Sequence, residues 1–315
     1  VTDGRVGSVN QCVGLAEALG LAPVLKRVRM RLPWRKLSPF FRLGHAYAFT
    51  PDSDALEPPW PDLVIASGRL SIAAALYIRK HSERDGHRTM LVFVQSPGIS
   101  PKHFDLVIAP EHDRVRGINV MTTRGGLNRL TPAKLEEGAA KLLPQVRHLL
   151  EPYIGVLIGG SNGAYTMDTA QIDILSDRLA QAAKQTGGGL LITPSRRTGE
   201  GNVARLKQAL ASTPHFIWNG EGENPYFGIL GLSRFIVATN DSVNMISEAV
   251  SAEKPVYVFH LPGRSRKFDV FHRTMADAGL TKPFEGSVAA FERAVAGNET
   301  LQAAAAVHAK ALEIL

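Results

Sequence analysis

Gly159, Gly160, Ser161, Asn162 and Gly163 stand directly after the apolar run YIGVLI. Glycines there admit close backbone approach, and Ser161 and Asn162 can donate hydrogen bonds, which together could cradle a phosphate. The same residues also make an ordinary tight turn. The cluster lacks GxGxxG spacing and the lysine of GxxxxGKS/T, so neither a dinucleotide fingerprint nor a P-loop is present. A second cluster, Thr193, Ser195, Arg196, Arg197 and Thr198, follows the run GGLLI. Paired arginines offer planar bidentate donors to a diphosphate, or else form a solvated turn. The third and most informative cluster is Thr239, Asn240, Asp241, Ser242, Val243, Asn244 and Met245, with Glu248 beyond. Asp241 or Ser242 can cap a helix, and Glu248 on that helix is placed to accept hydrogen bonds from ribose hydroxyls. His260, with Gly263 and Lys267 after it, follows PVYVF and reads more readily as structural than as catalytic.

These clusters need strands to carry them and helices to follow them. DLVIASG from Asp62, MLVFVQSP, DLVIAPEHD, YIGVLIGG, GGLLITPSRR, HFIWNG, RFIVATNDS and PVYVFHLPG are apolar at consecutive rather than alternating positions, each ending in small polar residues. Strands of that kind are parallel and covered on both faces. Helical spacing recurs between them, as in SIAAALYIRKHS, and after the opening turn TDGRVGS in Asn10 to Leu19. The expected class is therefore α/β, doubly wound, with sites where strands end and helices begin. The helical stretch from Leu130 to Pro152 precedes a new strand, so a boundary is expected near Leu150, giving domains 1–150 and 151–315. The alanine-rich tail from Val288 reads as one or two closing helices.

Bulk properties bound the classes further. At 315 residues the chain has room for two domains, and 44% hydrophobic with 21% charged residues is an ordinary globular composition. No apolar run approaches the roughly 20 residues that span a bilayer. The opening VTDGRVG has no basic and apolar leader, and single Cys12 sits in a helical stretch as a small buried residue, so a reducing, cytoplasmic setting is expected. Residues 1–150 carry 21 Lys and Arg against 13 Asp and Glu, a balance of +8, while 151–315 carry 15 against 16, a balance of −1. Any anionic surface partner should meet the first half. No nucleic-acid partner is expected. Glu111, His112 and Asp113 are contiguous and so point apart, which makes a metal site there unexpected.

The opening Thr-Asp-Gly-Arg with Asn10 and Gln11, Ser67 to Arg69, Gln95 to Pro97, GGSNG, TPSRRT and TNDSVNMISE together resemble the mitochondrial-fission ELM-type family, often labelled nucleoside-diphosphate-sugar epimerase-like. More distantly, GGSNG and RFIVATNDSVNMISEAVSAEKPVYVF are similar to the donor half of the peptidoglycan N-acetylglucosaminyltransferase that acts on lipid I. That similarity implies a GT-B fold, two Rossmann-like domains facing a cleft, with the C-terminal one gripping a nucleotide diphosphate sugar. It implies Ser161 and Ser242 to Met245 at the diphosphate and Glu248 at the ribose. The chain has Asp241-Ser242 where that transferase has an arginine-glycine pair, which leaves the donor open.

A GT-B enzyme neutralises its departing diphosphate with arginines, helix N-termini and backbone amides, so no metal or cofactor is expected. Asp3, after a first strand, is the candidate base for the acceptor hydroxyl, with Arg5 holding it ionised; a turn aspartate bonding its own backbone is the other reading. The acceptor is a glycan or a lipid-linked group. Two rival functions share the fold: a nucleotide-sugar epimerase, and a non-catalytic adaptor recruited to membranes. Lys26, Arg27, Arg29, Arg31, Arg35, Lys36 and Arg42, interleaved with Trp34, Phe40 and Phe41, would suit peripheral docking on the inner face of an anionic membrane. Alternation of Arg with Val28, Met30 and Leu32 fits a half-buried strand equally well.

Overall fold

The computed structural model describes residues 1–38, 40, 47–291 and 298–314. The chain divides into two compact units, Val1–Arg129 with Asn298–Leu315, and Leu130–Gly297.

The first unit holds a parallel sheet in the order β1 (Leu63–Ser67), β2 (Met90–Val94), β3 (Leu106–Pro110), β4 (Val120–Thr123). Consecutive apolar residues in β2 are explained by its two covered faces. Met90, Val92 and Val94 join a core with Leu15 of α1 (Val6–Ala18) and with Ala303, Ala304 and Val307 of the closing helix at Glu299–Ile314. Leu91 and Phe93 point the other way, to Ile72, Ala75 and Ile78 of the helix at Ser71–Arg84. The first strand expected at the N-terminus is reduced to isolated bridges from Thr2 to Ser67 and to Arg27. A four-residue helix α2 (Trp34–Leu37) and the helix at Ser71–Arg84, here α3, complete the first part of the chain.

The second unit runs α4 (Pro132–Val146), β5 (Ile154–Ile158), α5 (Thr169–Thr186), β6 (Leu190–Pro194), α6 (Glu200–Ala209), β7 (His215–Ile217), α7 (Tyr226–Leu232), β8 (Phe235–Thr239), α8 (Val243–Ser251), β9 (Val256–Phe259), α9 (Arg266–Asp277) and β10 (Thr281–Pro283). Its sheet is parallel, in the order β10-β9-β8-β5-β6-β7. The chain leaves β5 towards β6 and β7, then returns to lay β8 on the opposite side of β5. That reversal is a topological switch point, where an open α/β sheet leaves a crevice at its carboxyl edge. Both units are Rossmann-like. The helix at Glu299–Ile314 is α10.

The boundary expected near Leu150 is corrected: α4 belongs to the second unit and α10 to the first. Glycines explain the first shift. A Cβ on Gly228 of α7 would sit 2.5 Å from the Gly138 carbonyl oxygen of α4, and one on Gly231 would sit 2.5 Å from that of Leu135. Two helices in backbone contact belong to one core. Gly228→Leu should therefore lower the unfolding free energy of this unit by about 3 kcal/mol, seen as an earlier denaturant midpoint. An unchanged midpoint would mean that α4 and α7 separate freely. The second shift follows from Glu299, whose carboxylate accepts from the backbone N–H groups of Arg124 and Gly125 at 2.6 and 3.0 Å and ties α10 to the first unit.

Candidate functional site

The switch point of the second unit is built from the ends of β5 and β8. β8 is wholly buried and stops at Thr239, whose hydroxyl donates to Asp241 Oδ1 at 2.6 Å and accepts from the Gly159 N–H at 2.8 Å. Asp241 Oδ2 accepts from the Gly160 N–H at 3.1 Å and pairs with Arg197 at 2.7 Å. The Asp241 side chain is fully buried, and burial raises its carboxyl above the usual range against the opposing pull of Thr239 and Arg197. Glycine at 159 is dictated by this contact, since a Cβ would stand 2.2 Å from the Asp241 carboxylate oxygens. At Gly160, φ is +147° and a Cβ would meet the Arg197 carbonyl oxygen at 2.2 Å.

The rest of the glycine-rich loop is satisfied from within. Ser161 Oγ accepts from the Met167 N–H at 2.9 Å. Asn162 Oδ1 accepts from the N–H groups of Ala164 and Tyr165, and its amide donates to the Asp241 carbonyl at 3.2 Å. Ser195 and Thr198 each donate to the Gly159 carbonyl at 2.6 Å. Gly160, Ser161, Asn162, Ser195 and Arg197, expected at a phosphate, are thus all bonded to one another's surroundings at the switch point. Arg196 is exposed.

The start of α8 is partly open to solvent. Ser242 is its N-cap, accepting from the Met245 N–H at 3.4 Å, and Ile246, Ala249 and Val250 turn inward. Asn244, Met245 and Glu248 stay partly open to solvent. A helix N-terminus presents backbone N–H groups and a positive dipole end, which together suit an anion. Glu248 keeps some solvent access yet is densely surrounded by protein, and burial pushes its carboxyl up to about 7, with the Tyr226 hydroxyl pulling the other way. The Tyr226 oxygen is buried and makes no hydrogen bond of ordinary geometry, although it interacts with Glu248; burial raises its phenol well above the usual range. Sequence reasoning missed Tyr226 because YFGILGL reads only as an apolar helix.

Asn240, quoted in the motif without a role, is structural: its Oδ1 accepts from the Leu261 N–H at 3.0 Å, and its carbonyl accepts from His272 at 2.8 Å. His260 keeps solvent access although protein crowds its ring beside His272, their ring centroids 5.8 Å apart, and loss of hydration lowers both imidazoles. Gly263 forms a bridge with Tyr165, which closes the glycine-rich loop against the turn after β9.

A sequence model described as mitochondrial fission ELM1 matches residues 6–311. The chain belongs to that family. Among family relatives, the mitochondrial fission protein ELM1 of Arabidopsis thaliana is 27% identical, covering 91% of this chain and 84% of the relative. Among solved structures, MurG of Acinetobacter baumannii has a TM-score of 0.48 at 14% identity, covering 100% of this chain and 92% of that one. The UDP-N-acetylglucosamine 2-epimerase of Rickettsia bellii also scores 0.48, at 12% identity, covering 99% and 95%.

In the first unit, Asp3 follows the Thr2 bridge at the carboxyl edge of the sheet. Its Oδ1 accepts from the Arg5 N–H at 3.3 Å, and its Oδ2 lies 3.5 Å from the Arg5 guanidinium. The turn-aspartate geometry is thus present, and the side chain is 6% exposed. Cys12 is buried and burial pushes its thiol up to about 11, which leaves it unreactive. Among the described residues no helix is long and apolar enough to cross a membrane.

Proposed function

We propose that this family member is a glycosyltransferase that uses a nucleoside diphosphate sugar, with the donor at the switch point of the second unit. The observation that carries the reading is the partly open start of α8, with its N-cap Ser242, above a walled crevice and with the carboxyl of Glu248 on the same helix. The diphosphate would lie on the N–H groups of Ser242 to Asn244, beside the Met245 N–H that the Ser242 cap holds, and be met by exposed Arg196; the ribose diol would donate to Glu248. Asp3 is the proposed base. It would take the proton of the acceptor hydroxyl as that oxygen bonds to the anomeric carbon, and the nucleoside diphosphate would leave with the electron pair of the broken C–O bond. The reading calls on no metal or cofactor, and places the work at the cytoplasmic side of a membrane.

A second reading, a non-catalytic adaptor, has one observation in its favour: the N–H groups of Gly159, Gly160 and Asn162 and the side-chain donors of Ser161 and Asn162 are bonded inside the protein. An adaptor role would accord with the name of the plant relative.

The test is release of free nucleotide from a panel of nucleoside diphosphate sugars, with and without a lipid-linked or glycan acceptor. Release that rises with acceptor is expected, and Asp3→Asn should lower kcat by about a hundredfold or more with nucleotide affinity kept. Binding without release would favour the adaptor, and a changed sugar without transfer would favour the epimerase.

A further inference from the structure

A cavity of about 650 Å³ opens at the carboxyl ends of β1 and β2 in the first unit, and its lining includes Arg69, Ser96 and Pro97 from two sequence motifs that the donor site leaves unused. Both of its walls are built. One wall is α2 and Ser38, held to the loop after β1 by Arg69, whose guanidinium donates to the carbonyls of Arg35, Lys36 and Ser38 at 3.0, 3.4 and 2.5 Å. Ser38 Oγ returns a hydrogen bond to the Arg69 carbonyl at 3.2 Å. The other wall is the turn after β2. Gln95 there has φ of 78°, a strained conformation for a residue with a side chain, and the Ser96 N–H donates to buried Asp113 at 3.0 Å.

The lining has two chemical halves. Lys36 and Arg69 are cationic, and among the described residues neither is paired with a carboxylate. Among the described residues the Arg69 guanidinium bonds to neutral carbonyls, which do not compensate its charge. Leu37, Phe40 and Pro97 supply the apolar half, with Phe40 76% exposed and Leu37 47% exposed. Large apolar side chains left in water beside unpaired cations fit a ligand that is itself apolar at one end and anionic at the other. Arg29, Arg31 and Arg35 stand exposed on the same segment, with Leu32 63% exposed among them. Val28 and Met30 are buried, and Arg27 and Met30 make single bridges, so the first part of the basic stretch is bridged backbone short of a strand, with its arginines exposed. Phe41 and Arg42, named for membrane docking from the sequence, lie outside the described residues.

We infer that this cavity binds an amphiphilic phosphate, a phosphate ester of an apolar alcohol, through Lys36 and Arg69 at the head and Leu37, Phe40 and Pro97 at the tail. This deepens the glycosyltransferase reading by naming the chemistry that anchors the acceptor, whose reacting hydroxyl lies on the group the phosphate carries, and rests on that reading only for the ligand's role as acceptor.

The test is calorimetric titration of the full chain with octyl phosphate below its micelle concentration, beside inorganic phosphate and octyl glucoside, which carry the head and the tail separately. Octyl phosphate should bind about tenfold tighter than either. Lys36→Glu and Phe40→Ser, both at exposed positions, should each weaken it about fivefold or more while thermal midpoints stay unchanged. Co-sedimentation with phosphatidylcholine vesicles, with and without phosphatidic acid, separates the sources: recruitment by the acidic vesicles marks a bilayer-borne ligand, and binding of the free ester alone marks a dissolved one. Octyl phosphate binding no tighter than inorganic phosphate, or equal binding by both variants and wild type, overturns the inference. If octyl phosphate binds as expected but no sugar nucleotide is turned over, the glycosyltransferase reading falls and the site stands.

Discussion

Glu248→Gln will stabilise the second unit at pH 8 by about 3 kcal/mol and leave its stability at pH 4 unchanged. The folded carboxyl is raised from 4.5 to about 7, mainly by burial. A raised acid binds its proton more tightly folded than unfolded, so stability falls as pH climbs from 4.5 through 7, and the loss is complete above 7. Glutamine keeps the shape and cannot ionise, which removes that loss. With Trp34 and Trp60 replaced by phenylalanine, Trp218 fluorescence reports unfolding of this unit alone. The donor-site proposal sets a counter-trend: if the ionised carboxylate accepts from a ribose diol, nucleotide affinity in wild type rises through pH 7, whereas in Glu248→Gln it stays low and flat. Parallel stability curves for the two proteins would show that Glu248 is better solvated than its surroundings imply.

Asp241→Ala will cost the same unit about 3 kcal/mol, and Arg197→Ala will cost it only about 1. The asymmetry follows from where the partners lie. Losing Asp241 strands the buried Gly160 N–H and the Thr239 hydroxyl together, groups it now bonds at 3.1 and 2.6 Å. In Arg197→Ala the Asp241 carboxylate keeps its bonds from the Thr239 hydroxyl and the Gly160 N–H, and the side chain removed is itself 39% exposed. Denaturant midpoints of the two variants decide the matter, and equal losses would assign the stability to the ion pair alone. One consequence concerns ligand experiments. Because Arg197 supports the wall, its replacement mixes stability with affinity, so Arg196→Ala is the cleaner probe of diphosphate binding.

Most strands that could be read from sequence are buried on both faces, the half-buried β7 of HFIWNG being an exception. β2, β3, β5 and β8 are buried at every position, which forces unbroken apolar runs that cannot be mistaken for turns. β4 and β10 escaped notice because VMTT and TKP are short and half open. Residue types at the site were legible, and so was their place at strand ends; their partners were not. Nothing local to GGSNG tells that Asp241, 81 residues further on, takes the Gly160 N–H. Likewise the alanine-rich composition of α10 marks a helix, but only the contacts of Glu299 with Arg124 and Gly125 tell which sheet it closes on. Helix α8 was read correctly because its cap, Ser242, is a local device.

The central claim, that the start of α8 holds a nucleoside diphosphate, is tested most directly by calorimetric titration of the full chain with the diphosphates of uridine, guanosine, cytidine and adenosine, each beside its parent nucleoside. At least one diphosphate should bind about a hundredfold tighter than its nucleoside. Arg196→Ala should weaken the diphosphate and leave the nucleoside unchanged, and Glu248→Ala should weaken both. If no diphosphate binds tighter than its nucleoside, α8 is not a phosphate site and the glycosyltransferase reading is wrong.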